Sequence, residues 1–265
     1  MKPSRCATLT LTLTLGACAR VPARAQDPDL AHDAHASAAA MREMGGAQGA
    51  ESLHMRMTDA RPAAPGDSAR AAAVVVQMRS ALGRYRDVRA AQADGFRQFL
   101  PGVTLPVYHF TRRANALGEA FRFDPAHPTS LLYRRDAAGR FQLVGAMYTA
   151  PRRFSQDRLD ARIPLSIAHW HQHVDWCIPP RGQAARWRET QGGAPRFGPQ
   201  SPIHTRPACD SAGGVFVPHL FGWMVHANAF AGDDPHEIWS DHHGGQGMEA
   251  HGMQGTHDMH GDSMR

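Results

Sequence analysis

The fold class is decided by residues 130–148, which form the stretch SLLYRRDAAGRFQLVGAMY. Residues 130–133 and 141–148 are rich in apolar and aromatic side chains, as strands commonly are. Between them, residues 136–139 (Asp-Ala-Ala-Gly) have the composition of a tight turn. The stretch therefore predicts a β-hairpin.

One long helix is predicted before this hairpin. Asp67 or Ser68 can cap it, and apolar residues then recur at three- and four-residue spacing up to the neighbourhood of Gly95. Such spacing places the apolar side chains in one stripe, which is core material.

Further strands are predicted at 107–111, within 166–176 and within 215–230. The predicted fold class is α+β, with the N-terminal amphipathic helix packed on a curled antiparallel sheet of about five or six strands.

Two segments poor in large apolar residues flank the predicted domain. Such segments bury too little surface to offset their ordering entropy. We therefore expect a flexible His/Met-containing tether at 18–65, a single folded domain at 66–240 and a disordered His/Met-rich tail at 241–265.

The N-terminus predicts export. Lys2 and Arg5 precede an uncharged stretch, residues 7–17, which is long enough for a signal peptide and too short to span a bilayer. It ends in Leu-Gly-Ala before Cys18, which resembles a lipobox. Residues 1–17 are thus predicted to be removed and Cys18 to be lipidated.

Two alternatives to this anchor stay open. Ala23-Arg24-Ala25 fits the A-x-A rule, and cleavage after Ala25 would release a soluble protein. The segment could also be a buried helix or strand of the fold. The favoured localisation is the periplasmic side of the outer membrane, with the membrane contacted through the lipid.

Charge argues against nucleic acid as a partner. The formal net charge of +5 becomes +3 when Lys2 and Arg5 are removed with the signal. The chain has no dense run of basic residues with interleaved aromatics.

The cysteines predict one disulfide. Cys6 and Cys18 belong to the signal region, which leaves Cys177 and Cys209 as a pair in an oxidising compartment. A bridge between them would stabilise the fold by roughly 3–4 kcal/mol through chain entropy. The alternative is that both are thiolate ligands of a metal.

The strongest chemical signal is a run of alternating histidines, His169, His171 and His173. On a strand they share one face, and neighbours are separated by roughly 6.5–7 Å. Two imidazoles at that separation can bind one metal ion, and His226 and His109 are the candidate third and fourth ligands. Imidazole nitrogen suits zinc, copper, iron or nickel.

A pocket of histidines without metal, or ordinary structural histidines, would give the same pattern. In cupins a carboxylate and glycines follow the H-x-H pair at set distances. Here Asp175 is too close and no glutamate follows suitably, so the match to cupins is poor.

The tails give a second metal signal. Together, residues 31–57 and 241–265 hold eight of the 12 methionines and eight of the 17 histidines. Thioether favours Cu(I), and a glycine-rich tail has no core to fill. The candidates for metal capture are His242, His243, Met248, His251, Met253, His257, Met259 and His260. Chance bias in a solvated segment is the alternative.

Enzymatic motifs are scarce. The chain lacks G-x-S-x-G, H-E-x-x-H and a P-loop, and His236-Glu237 has no second zincin histidine. A metal enzyme with Asp175 or Glu237 as general base stays open.

The chain contains six short motifs: 84–88 (RYRDV), 93–95 (ADG), 108–110 (YHF), 128–133 (PTSLLY), 170–173 (WHQH) and 222–226 (GWMVH). In these the chain resembles a family of uncharacterised exported bacterial proteins. The resemblance covers about 84–239 and implies one domain. It places His109, His171, His173 and His226 within motifs and His169 just outside. It implies no activity.

The sequence thus favours a cell-envelope protein that binds copper or zinc at a His-lined site on a β-sheet. The alternatives are a metal-dependent enzyme of unknown substrate at that site and a lipid-anchored interaction module without metal. Protein partners are not indicated.

Overall fold

A computed structural model describes residues 53–101 and 104–240. Its helices are α1 (Asp67–Leu82), α2 (Val88–Ala93), α3 (Arg113–Glu119), α4 (Gln156–Asp160), α5 (Arg206–Ser211) and α6 (Pro235–Ile238), with 3-10 helices at Gly83–Arg86 and Ala184–Arg188. Its strands are β1 (Met55–Met57), β2 (Arg97–Gln98), β3 (Tyr108–Thr111), β4 (Ser130–Arg135), β5 (Phe141–Ala150), β6 (His171–Ile178), β7 (Thr190–Gln191), β8 (Ala194–Pro195), β9 (Val215–His219) and β10 (Trp223–Ala227).

The fold is α+β, and its main sheet is antiparallel throughout the described residues. Seven strands follow the order β1-β6-β10-β5-β4-β3-β2, and β9 pairs with the distal part of β6. The predicted number of five or six strands is wrong, because the sheet has eight. The short strands β1 and β2 add to the count, and the segment 215–230 contains two strands instead of one.

The hairpin of β4 and β5 forms where its local sequence predicts it. The Asp136 carboxylate accepts hydrogen bonds from the backbone N–H groups of Ala138 and Arg140, each 2.9 Å long. Gly139 has φ 77°, a left-handed conformation that glycine adopts without the steric penalty of a side chain. The register shifts between Leu132 and Tyr133.

The long predicted helix is broken into pieces. α1 begins after Gly66, which is its N-cap with φ 88°, so neither Asp67 nor Ser68 is the cap residue. At Asp87 the backbone becomes extended and its side chain caps α2 by accepting from the N–H of Arg89 at 2.9 Å. The extended backbone and the side-chain cap at Asp87 therefore divide the predicted helix, although the apolar spacing continues beyond this residue.

The folded region begins earlier than residue 66. Met55–Met57, within the predicted tether, forms β1 and pairs with β6. The ring of His54 is buried, and its nitrogens lie 2.9 Å from the carbonyl oxygen of Asp175 and 2.7 Å from that of Ser201. The tether prediction is wrong for this part, because pairing with a distant strand supplies the order that local composition does not.

The two faces of the sheet differ in chemistry. One carries the main hydrophobic core, which includes Phe110, Leu131, Tyr148 and Val225 together with apolar residues of α1. We call the opposite face of β1, β6, β10, β5, β4 and β3 the histidine face, since it carries the histidines of the candidate site.

A disulfide joins Cys177 on β6 to Cys209 in α5, as the cysteine count predicts. Both cysteines are fully buried with Phe197, Ile203 and Ala212 in a small second core. The pair is therefore not a thiolate ligand set. The bridge attaches α5 to the strand that carries His171 and His173.

Candidate functional site

Three strands position four buried histidines on the histidine face. His171 and His173 alternate along β6, His226 lies on β10 and His109 on β3. Successive side chains of a strand point to opposite faces, so residues two apart share one. All four side chains are almost inaccessible, with exposures of 0–3%.

The four rings are in contact in a chain. The centroids of His171 and His226 are 5.0 Å apart, those of His171 and His173 are 5.7 Å apart, and those of His109 and His226 are 5.7 Å apart. His226 and His171 are therefore the central members, and His109 and His173 the outer ones.

The contact between His109 and His226 requires a bent sheet. β5 and β4 lie between their strands, β10 and β3. In a flat sheet three strand spacings amount to roughly 14 Å. Two side chains separated by that distance make ring contact only when the sheet bends towards the face that bears them.

The neighbours of the rings are apolar and aromatic. Trp176 and Phe221 contact His173, with centroid distances of 5.7 and 6.1 Å. A small buried cluster on this face extends from the start of β3 across β4 and β5 to β10, and its members are Val107, Leu132, Met147 and Met224. The site is thus shielded from water on several sides, which strengthens any electrostatic interaction within it.

The ring separations suit pairwise metal binding. Because a histidine nitrogen lies about 2.0–2.1 Å from zinc, the centroids of two rings on one ion are separated by about 5 Å. In the two described ranges, no group of three or more His, Cys, Asp or Glu side chains is already arranged to hold an ion. Binding one ion through three histidines would therefore require at least one ring to rotate, because the positions of the residues along the strands do not bring a third ligand to the ion.

His169 does not join this cluster. It precedes β6, which begins at His171, and it is partly exposed. The alternation predicted for three histidines therefore holds for two. Cys18 and the tail candidates, His242, His243, Met248, His251, Met253, His257, Met259 and His260, lie outside the described residues.

The two candidate general bases lie elsewhere. Asp175 is partly exposed on β6 with φ 56°, an uncommon conformation for a non-glycine residue, and Glu237 is exposed in α6. Neither belongs to the chain of ring contacts.

A buried carboxyl group that is not among the predicted site residues reaches the same face from α3. Glu119 accepts hydrogen bonds from the N–H and hydroxyl of Thr129 at 3.0 and 2.8 Å, and also from the N–H and hydroxyl of Thr149. Thr149 lies opposite Met224 in the sheet. Burial raises the pKa of Glu119 to about 7. The hydrogen bonds from Thr149 and Thr129 and the positive charge of the nearby Arg162 oppose this rise. No local pattern marks this residue.

Four methionines on the histidine face are not among the ligands predicted for the sheet site, although Met55 and Met57 belong to the His/Met signal of residues 31–57. Met147 and Met224 lie on β5 and β10, and Met55 and Met57 on β1. The alternation Met224-x-His226 was a visible signal, whereas the others needed the strand register.

Comparisons with protein-family models, with curated proteins and with solved structures found no match. Over 53–101 and 104–240, no helix is both long and apolar enough to cross a membrane.

Proposed function

We propose that this protein binds a transition-metal ion, copper or zinc, at the histidine face. The observation that carries the proposal is the contact between buried imidazoles, centred on His171 and His226 at 5.0 Å. Imidazole is the commonest protein ligand for such metals.

The ligand roles follow from the order of contacts. His171 and His226 form the primary pair, because each contacts the other and one further histidine. His173 and His109 are the candidates for the third and fourth positions. Rotation about the side-chain torsions moves a ring nitrogen without moving the strand.

The architecture proposed around the site is a curled sheet with α1 packed on its core face. Ala71, Val75, Met78 and Leu82 are the buried residues of α1 that belong to the main core. The curl would bring β3 towards β10 on the histidine face. In this arrangement the helix stabilises the curvature on which the contact between His109 and His226 depends.

The proposed location is the cell envelope. The predicted signal 1–17 and the disulfide support export, since disulfides persist in oxidising compartments. Lipidation at Cys18 would attach the chain to the periplasmic side of the outer membrane. Cleavage at Ala25 would release it as a soluble protein.

The His/Met-rich segments are proposed to capture the same ions. Residues 241–265 follow the domain directly, and the predicted tether leads into β1. Side chains of these segments would raise the local concentration of metal beside the sheet.

The proposal is tested by counting the metal ions that the full chain, purified without a histidine tag, retains against a competing chelator. Wild type should retain one more equivalent of zinc or copper than either His171→Ala or His226→Ala. His204→Ala is the matched control, because His204 is exposed and its Nδ1 lies 3.1 Å from the carbonyl oxygen of Pro202.

Equal retention by wild type and both site variants would overturn the proposal. The histidines of the sheet would then be structural. A lipid-anchored interaction module would be the remaining interpretation.

A further inference from the structure

The histidine face is also a methionine face. The strand register places Met55 opposite His173 and Met57 opposite His171. Residues directly opposite each other on antiparallel strands share a face, with Cβ atoms about 4.5–5.5 Å apart. Two histidines of β6 therefore each have a thioether as their neighbour on β1.

The other side of the cluster repeats this arrangement. Met224 of β10 lies opposite His171, and Met147 of β5 lies opposite His226. Met224 and Met147 are 3% and 6% exposed, so both thioethers belong to the interior. Each member of the central histidine pair thus has a buried methionine beside it.

The distribution of methionine argues against simple core filling. The described residues contain five methionines, and four of them lie on the histidine face, Met78 in α1 being the exception. On the other face the same strands use aromatic and aliphatic residues such as Tyr148 and Val225. A flexible core filler has no reason to be confined to the face with the histidines.

Thioether sulfur is a soft ligand that suits Cu(I). Zinc in proteins is bound by thiolate, imidazole and carboxylate groups, which do not include thioether. Imidazole alone accepts both metals. The combination of two imidazoles with neighbouring thioethers therefore discriminates between the two ions that the proposed function leaves open.

We propose that the site selects Cu(I), with His171 and His226 supplying nitrogen and Met224 and Met147 supplying sulfur. This inference rests on the proposed function, since it names the metal for the same site. Met55 and Met57 are only partly buried on β1, at the edge of the sheet. They mark the side from which an ion enters.

The test measures the affinity of the full chain for Cu(I), anaerobically and against a Cu(I) chelator, and separately its affinity for zinc. Met224→Leu and Met147→Leu remove a thioether at nearly constant volume, which cores tolerate well. Each should weaken Cu(I) binding at least tenfold and leave zinc binding unchanged. The matched control is Met78→Leu, buried in α1 away from this face, which should change neither.

The outcomes separate the two proposals. Unchanged Cu(I) affinity in both methionine variants, with a loss of both metals in His226→Ala, overturns Cu(I) selection and retains the metal site. Unchanged binding in His226→Ala overturns both. X-ray absorption at the copper edge of wild type with one equivalent of Cu(I) gives a result even if the variants do not fold. A shell of nitrogen alone contradicts sulfur ligation. Mixed nitrogen and sulfur supports it when the same shell is found in a full-length variant whose tether and tail methionines, Met41, Met44, Met248, Met253, Met259 and Met264, are replaced by leucine.

Discussion

The imidazoles of His171 and His226 approach to 5.0 Å between centroids although neither is the direct partner of the other in the sheet. The register pairs His171 with Met224, two residues before His226 on β10. The two rings are therefore diagonal neighbours, whose Cα separation is about 7–8 Å and within the reach of large side chains. Replacing either histidine by alanine would remove a ring that the other histidine contacts.

Shared binding by these two rings predicts strong coupling. His171→Ala and His226→Ala should each abolish tight binding, and the double variant should be no worse than either single variant. Metal titration of all four proteins, with His204→Ala as a fifth, measures the cycle. Additive losses would mean that the two rings serve separate sites.

The disulfide should contribute substantially to stability. Cys177→Ser is expected to lower the free energy of unfolding by about 2–5 kcal/mol, and Cys209→Ser by a similar amount. Urea unfolding under oxidising conditions measures both. Thiol reductant should destabilise wild type but neither variant; an equal effect of reductant on all three would argue against the bridge.

Gly214 is predicted to be restricted to glycine by the disulfide. A Cβ added there would lie 2.5 Å from Sγ of Cys177 and 2.9 Å from Sγ of Cys209. Gly214→Ala should therefore destabilise the fold by roughly 1–3 kcal/mol through overpacking.

A matched glycine tests the steric reason. Gly118 lies within α3, and a Cβ added there would meet no atom within 4 Å beyond its chain neighbours and the backbone of its own helix. Gly118→Ala should therefore be neutral or stabilise by about 0.5–1 kcal/mol. Thermal or urea unfolding of Gly214→Ala and Gly118→Ala measures the two changes in stability. Equal changes would contradict the steric explanation.

Glu119 predicts a pH dependence of stability. Its folded pKa, about 7, exceeds its ordinary value of 4.5 because of burial. Between these values the folded state holds a proton that the unfolded state releases, so stability falls as pH rises from about 4.5 to 7. The side chain that Glu119→Gln introduces cannot ionise. Over this pH window the free energy of unfolding of the variant should therefore fall less than that of wild type, by a difference of up to roughly 3 kcal/mol.

The control for this prediction is Glu189→Gln. The hydrogen bond from Arg186 lowers the pKa of Glu189, so any contribution of this residue is lost only as pH falls below the ordinary range of glutamate. Urea unfolding of the three proteins from pH 4.5 to 7.5 makes the comparison. Parallel curves for wild type and Glu119→Gln would contradict a raised pKa.

Local patterns predict the parts of the fold that local contacts determine. The hairpin of β4 and β5 and the alternation of His171 and His173 depend on neighbours in sequence, and both are seen. β1 falls within the predicted tether because a three-residue edge strand has no periodicity of its own. Its order comes from pairing with residues 171–173, more than one hundred positions away.

The sequence identifies residues of the candidate site better than it predicts how those residues are arranged in space. His109 is identifiable from its motif, but its contact with His226 depends on how the strands between them bend. Met224 has a local signal, its alternation with His226. Met55, Met57 and Met147 cannot be assigned to the site from sequence, because neither of two distant strands specifies alone how they pair. His169 is among the predicted ligands because the histidines alternate from residue 169 onward in the sequence, whereas β6 begins only at His171.

The central claim is tested most directly by thermal unfolding of the full chain under anaerobic conditions, without Cu(I) and with Cu(I) buffered at a free concentration of about one hundred times Kd. An ion held between strands stabilises the folded state, by about 2.7 kcal/mol at a free concentration of one hundred times Kd, whereas an ion held by the tails does not. We expect Tm to rise in wild type and in His204→Ala, and to stay constant in the double variant His171→Ala/His226→Ala. Copper bound by wild type without any change in Tm would contradict a metal site in the sheet.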